Sequence, residues 1–211
     1  ALLLIGFGIQ DSILPIVDKQ SGQLTHNDLT ISLSDEKALT MEQGLADTLD
    51  SSSAVHSWGA FYTKSTTLYN EEGGSADVSI VGAEDDARMT EYFTFRTRVG
   101  HDPIPFEEDS VILTEKTALN LELSVGDTFY VEAADGSRVP LVLTGITENY
   151  MFTRLYLSNA QLQALLGSTP EWNTVYGLTG CTTEVEYNAL RTKLLGCNYV
   201  SSVSFTEDTT S

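Results

Sequence analysis

Positive charge is scarce in this chain. Only 11 lysines and arginines stand against 30 aspartates and glutamates in 211 residues, a net charge of −19 at neutral pH. Such a surface repels phosphate backbones and anionic head groups, which excludes nucleic acid as a partner and argues against adsorption to an anionic leaflet. Long hydrophobic runs are missing as well. The longest covers residues 1–9, whereas a spanning helix needs about twenty apolar residues. A secretory signal fits poorly, because no basic start and no small-residue cleavage site precede Asp11. With only 19% charged residues and apolar residues spread along the chain, the acidity is no sign of disorder. It keeps a globular domain soluble.

What is present is patterned for sheet. Residues 110–157 read as strand, short helix, Val125-Gly126-Asp127 turn, strand, hairpin, strand, and a Gly145 to Tyr150 exit into one more strand. Phe129, Val131 and Ala133 alternate with polar neighbours, as do Val139, Leu141 and Leu143, the period of a sheet with one buried face. Asp135-Gly136 is expected to supply the positive backbone angles of a tight turn. No residue in the stretch looks chosen for chemistry.

Two β-α-β units flank it. On the amino-terminal side a helix over residues 12–20 is expected to end at Ser21-Gly22, with a strand over 29–33 after it. Ser34 or Asp35 then caps a helix with Ala38, Met41, Leu45 and Leu49 on one face, and strands follow near 55–62 and 77–82. At the far end 174–179 reads as a strand, and Thr183 with Glu186 makes a capping box for a helix with Tyr187, Leu190 and Leu194 inside. Gly196 suits the position after it, and 199–205 alternates again as a strand. The expected class is α+β with two subdomains, one of paired β-α-β units built from both chain ends and one sheet-rich insert with a short helix. Residues 1–9 admit two readings, a buried strand or the end of a membrane helix. Lys19 is the only cation before Lys37, so a helix end here would be the outer one.

Taken together, the residues resemble the extracytoplasmic domain of FtsX/MacB-type permeases of ABC transporters. The segments that carry the likeness are residues 6–13, 16–20, Val81-Gly82-Ala83 leading to Tyr92-Phe93, the block from Thr114 to Gly126, and the exit from Gly145 to Asn149. The resemblance implies that 1–20 is the outer end of the first membrane helix and its stalk. On the same basis 21–83 is the first half of the β-α-β subdomain, 84–168 the inserted subdomain and 169–211 the second half. It also implies a non-catalytic domain on the extracytoplasmic face of the cell membrane, without cofactor or metal. Its partners would be a cytoplasmic ABC ATPase reached through the membrane part, an extracellular protein, peptide or lipoprotein, and a second permease copy.

The residues available for chemistry point the same way. Only His26, His56 and His101 are present, with no Gly-x-Ser-x-Gly elbow and no Walker-type phosphate loop. His56 reads as a surface or half-buried strand residue, His101 as a turn, and His26-Asn27-Asp28 as a solvated turn short of a metal site. The acidic clusters at 71–72, 84–86 and 107–109 lack the spacing of a calcium loop and read as solvated faces. Cys181 and Cys197 bracket a helix about 20 Å long, too far apart for a bridge, so both are expected free and largely buried. Most aromatics suit a core. Tyr150, Met151 and Phe152, directly after a turn, are the candidate partner surface. The rival readings are a secreted or cell-wall-attached binding module and a hydrolase using an Asp or Glu pair.

Overall fold

The computed structural model describes residues 19–206; the readings made for 1–18, including the membrane-helix end, lie outside the described residues. The fold is α+β. Its strands are β1 Leu29–Leu33, β2 Val55–Tyr69, β3 Ser75–Ala83, β4 Val111–Thr114, β5 Thr128–Glu132, β6 Arg138–Val142, β7 Gly145–Thr147, β8 Arg154–Leu157, β9 Thr174–Thr179 and β10 Val200–Phe205. Its α-helices are α1 Leu45–Ser51, α2 Ala87–Tyr92, α3 Glu115–Asn120, α4 Asn159–Leu166 and α5 Glu184–Leu195. All strands belong to one mixed sheet, ordered β10-β1-β9-β2-β3-β8-β4-β7, with the β5/β6 hairpin joined to the far end of β2.

At one end, β10-β1-β9-β2 are antiparallel throughout, the spatial order of a split β-α-β fold. The units β1-α1-β2 and β9-α5-β10 interleave there, and both helices cover the same face. Leu45, Leu49, Leu190 and Leu194 pack against Leu29, Ile31 and Val175. Thr183 caps α5 as the sequence predicts, its hydroxyl accepting from the Glu186 N–H at 3.2 Å. At the other end α4, the strands β3, β4 and β8 and the β5/β6 hairpin enclose a second core around Leu113, Phe129, Leu155 and Leu162. Phe129, Val131, Leu141 and Leu143 are buried as their alternation requires. Because successive strand residues face opposite ways, Phe61, Val81, Ile112, Tyr156 and Tyr176 emerge on the other face. There α2 and the segment after it close a third core rich in rings. Phe61 lies 4.7 Å from Tyr176 and 6.0 Å from Tyr92 between ring centroids, an edge-to-face and a tilted pair.

Several local expectations change. The predicted helix through Ala38, Met41, Leu45 and Leu49 is two pieces, a 3-10 turn at Glu36–Leu39 capped by Asp35 and then α1. Asp47 captures the Gln43 N–H at 2.6 Å and Gln43 turns to φ 55°, which breaks the rod. Ala38, Leu45 and Leu49 still reach the core, while Met41 is only half-buried. Ser21-Gly22 does not stop the first helical turn. They lie inside a π-type turn, Lys19–Leu24. In the hairpin only Gly136 has positive φ, 84°, as a type I turn followed by one left-handed residue requires. Strand β2 runs to Tyr69, where serine and threonine fill the surface positions of a strand that the central sheet sustains by pairing it with β3.

The segment before β1 and the end of β10 meet. Leu29 pairs with Phe205, and the Thr206 N–H donates to the Asp28 carbonyl at 2.9 Å.

Candidate functional site

The corner built by residues 148–154 gathers the polar groups that the fold spends on something other than sheet. Asn149 makes it: its Oδ1 accepts from the N–H groups of Met151, at 3.2 Å, and Phe152, at 2.8 Å, a side-chain mimic of a turn. From the other end of the chain, Gln20 is buried in the π-type turn and accepts from the Tyr150 N–H at 2.9 Å. The corner is thereby tied to the first described residues, and Met151 and Phe152 are left exposed, at 46% and 37%.

Beneath it sits Glu148, whose side chain is 1% exposed. Its carboxylate accepts from Arg96 Nε at 2.7 Å and from the Tyr150 hydroxyl, with His101 Nε2 at 3.7 Å. Arg96 also donates to Gln23 Oε1 at 2.9 Å. Burial opposes the charge of Glu148, but the hydrogen bonds from Tyr150 and Arg96 and the nearby cations outweigh it, and its pKa is lowered. Tyr150 is pushed up to about 12, first by burial and then by its bond to the Glu148 carboxylate. The three sequence-selected residues therefore part company. Tyr150 is half-buried and bonded inward, whereas Met151 and Phe152 face out.

Two adjoining cavities open beside Phe152. One, of about 200 Å³, is lined by Gln20, Asn27, Arg154 and Tyr176 among others; a second, of about 420 Å³, also has Phe152, Arg154 and Tyr176 in its wall. The Arg154 guanidinium stacks 3.7 Å from the Phe152 ring centroid and lies 5.5 Å from that of Phe93. Asn27 is 7% exposed, and its Oδ1 has no hydrogen-bond partner among the described residues. Asn27, expected in a solvated turn, is buried instead, and Arg154 carried no expectation at all. One usable signal was there: a cation entering a strand of buried residues, Leu155 to Leu157, in a chain poor in cations.

The histidines are dispersed. His26 is half-buried instead of solvated, its Nε2 2.6 Å from Thr94 Oγ1, because its N–H donates to the Tyr92 carbonyl and holds it against the ring-rich core. Burial lowers its pKa. His101 lies in an exposed turn with φ 52°, and His56 is exposed on β2. His56 borders a cavity of about 530 Å³ that also holds Asp50, Glu84 and Asp85. There Asp50 accepts from Trp58 Nε1 at 2.7 Å and Asp85 from the Ala87 N–H at 3.0 Å, so two of these carboxylates serve local structure. No group of three or more His, Cys, Asp and Glu fit to hold a metal occurs among the described residues. Both cysteines are free. Cys181 is buried, but Cys197 is only half-buried, because it follows the last turn of α5 with its thiol toward Thr48 at 3.5 Å.

No helix among the described residues is long and apolar enough to cross a membrane. No protein-family model matches this sequence, and no curated protein does. Solved structures do match. The periplasmic region of MacB from Actinobacillus actinomycetemcomitans superposes with a TM-score of 0.51 at 13% identity, over 89% of this chain and 92% of that one. The extracellular domain of the noncanonic ABC-type transporter YknZ from Gram-positive bacteria gives 0.50 at 14% identity, over 85% of this chain and 99% of that one. At such identities the likeness is one of fold: this chain has the fold of the extracytoplasmic domains of MacB-type ABC permeases.

Proposed function

We propose that this chain is the extracytoplasmic domain of an ABC transporter permease, without catalytic activity of its own, which couples ATP hydrolysis in the cytoplasm to the handling of a substrate or partner outside the membrane. The observation that carries the reading is the shared fold, which extends over 89% of this chain and 92% of the MacB region and agrees with the resemblance seen in the sequence. The meeting of the segment before β1 with the end of β10 is consistent with insertion between two membrane helices. On this reading the partners are a cytoplasmic ATPase, reached through the membrane part of the parent protein, and a second permease copy. A protein, peptide or lipoprotein outside would meet the corner at Met151 and Phe152, with Tyr150 as its support.

Affinity isolation of the full-length parent from its own membranes is the test. Recovery of an ABC ATPase with it, and loss of substrate-stimulated ATP hydrolysis when this domain is deleted, are the expected results. Recovery of the chain as a free secreted protein with no ATPase would overturn the reading. In the same transporter, M151S/F152S should weaken capture of the outside partner while the melting temperature stays within about 2 °C, since exposed side chains contribute little to stability.

A further inference from the structure

Among the described residues, Arg154 is a cation without an anion. Arg88, Arg96 and Arg98 each sit 2.7 Å from a glutamate oxygen. No carboxylate lies within ion-pair distance of Arg154 among the described residues; its partners are two aromatic rings and the Tyr156 hydroxyl at 3.5 Å. In a chain with 30 acidic residues, a half-buried guanidinium left unpaired breaks a local rule, and such breaks concentrate at functional sites. A second broken rule lies in the wall of the same cavity. Asn27 donates through Nδ2 to the Leu29 carbonyl at 3.3 Å, which fixes the orientation of the amide, and its buried Oδ1 is left without a donor among the described residues.

We propose that the cavity between Asn27 and Arg154 seats one carboxylate-bearing residue of a partner peptide. The carboxylate pairs with the free edge of the guanidinium, a peptide N–H meets Asn27, and the aliphatic flank of the segment lies on Met151 and Phe152. The chemistry selects this ligand over others. A guanidinium with its Cζ 3.7 Å over the Phe152 ring centroid and one long hydrogen bond to Tyr156 keeps its other N–H groups for the oxygens of a carboxylate. At about 200 Å³ the cavity is smaller than a drug-sized ligand needs and suits an anchoring side chain or chain end. The orphan acceptor calls for a donor, which a peptide N–H provides and a lipid phosphodiester lacks. Around it the net charge of −19 favours a segment that is otherwise neutral or basic, so that the carboxylate is a point anchor. The proposal deepens, and rests on, the reading of this corner as a partner surface.

The test titrates the 211-residue chain with the end-blocked peptide Lys-Leu-Glu-Leu-Lys, its Gln twin, the Gln twin with a free carboxyl terminus, and phosphatidylglycerol vesicles. The Arg154 Nε–H and Met151 methyl resonances report binding. The Glu peptide should bind at least about tenfold more tightly than its blocked Gln twin, and comparison with the free-terminus peptide tells a side-chain carboxylate from a chain end. R154M should abolish the difference while the melting temperature stays level or rises, because no ion pair is broken. Equal binding of all three peptides, or shifts with vesicles alone, would overturn the proposal. So would a fall of several degrees in melting temperature for R154M without loss of the Glu preference. The titration involves no ATPase, so its failure leaves the permease reading standing, and a failed ATPase isolation leaves the titration standing.

Discussion

Glu148 holds together three parts of the chain that are remote in sequence. Arg96 is 52 residues away, and through Tyr150 the network reaches Gln20, another 130 residues from Tyr150. Removing the charge leaves Arg96, whose side chain is 16% exposed, without its counter-ion. E148Q should therefore cost about 2 kcal/mol, below the 3–5 kcal/mol typical of a fully buried pair because Arg96 keeps some access to water. Urea unfolding of the two proteins checks this, and an unchanged midpoint would show that the network carries no stability. None of it was legible beforehand. Glutamate, tyrosine and arginine at such separations carry no periodic signal, and only the fold brings them within reach. The Thr183 and Glu186 pair was legible because a capping box is complete within four residues.

Among the elements, those with a local signature came through: the alternating β5 and β6, the capped α5, and the strand β9. The long helix expected after β1 failed because one side chain, Asp47, competes for a backbone N–H that the helix would have used. Strand β2 ran past its expected end because sheet pairing with β3, and with β5 at its tip, overrides the weak pattern of its serines and threonines. The β9 strand also contains a glycine that its neighbours require. A Cβ on Gly177 would lie 2.9 Å from the Ser57 carbonyl oxygen on β2 and 3.2 Å from Leu29 Cδ2 on β1. Since backbone cannot move aside as a side chain can, G177A should destabilise by about 2 kcal/mol. Thermal unfolding would measure it, and a neutral effect would mean that the central sheet yields more readily than packed interiors do.

For the molecule as a whole, β2 is the shared spine: its first half serves the core under α1 and α5, and its second half the core beside the hairpin. Melting followed by near-ultraviolet and far-ultraviolet signals should give one coincident transition; two separated transitions would show independent units. Acid should weaken this structure in two stages. His26 has a lowered pKa in the folded protein, so the folded state resists its protonation, and stability declines as pH falls below the ordinary histidine value of 6.5. Glu148 is lowered from 4.5, so its contribution is present above that value and is lost as pH drops through the folded pKa. Melting temperature against pH should show both declines, the upper absent in H26N and the lower reduced in E148Q, where Asp135 still contributes.

The antiparallel clasp of β1 and β10 has a mechanical corollary. Leu29 at the start of one strand faces Phe205 at the finish of the other, and β10 is the outermost strand. Drawing Leu29 and Phe205 away from each other would load that seam like a zipper, parting its rungs one after another instead of shearing them together. Tension across the ends would thus be relieved by peeling β10 at low force, before it reached the spine.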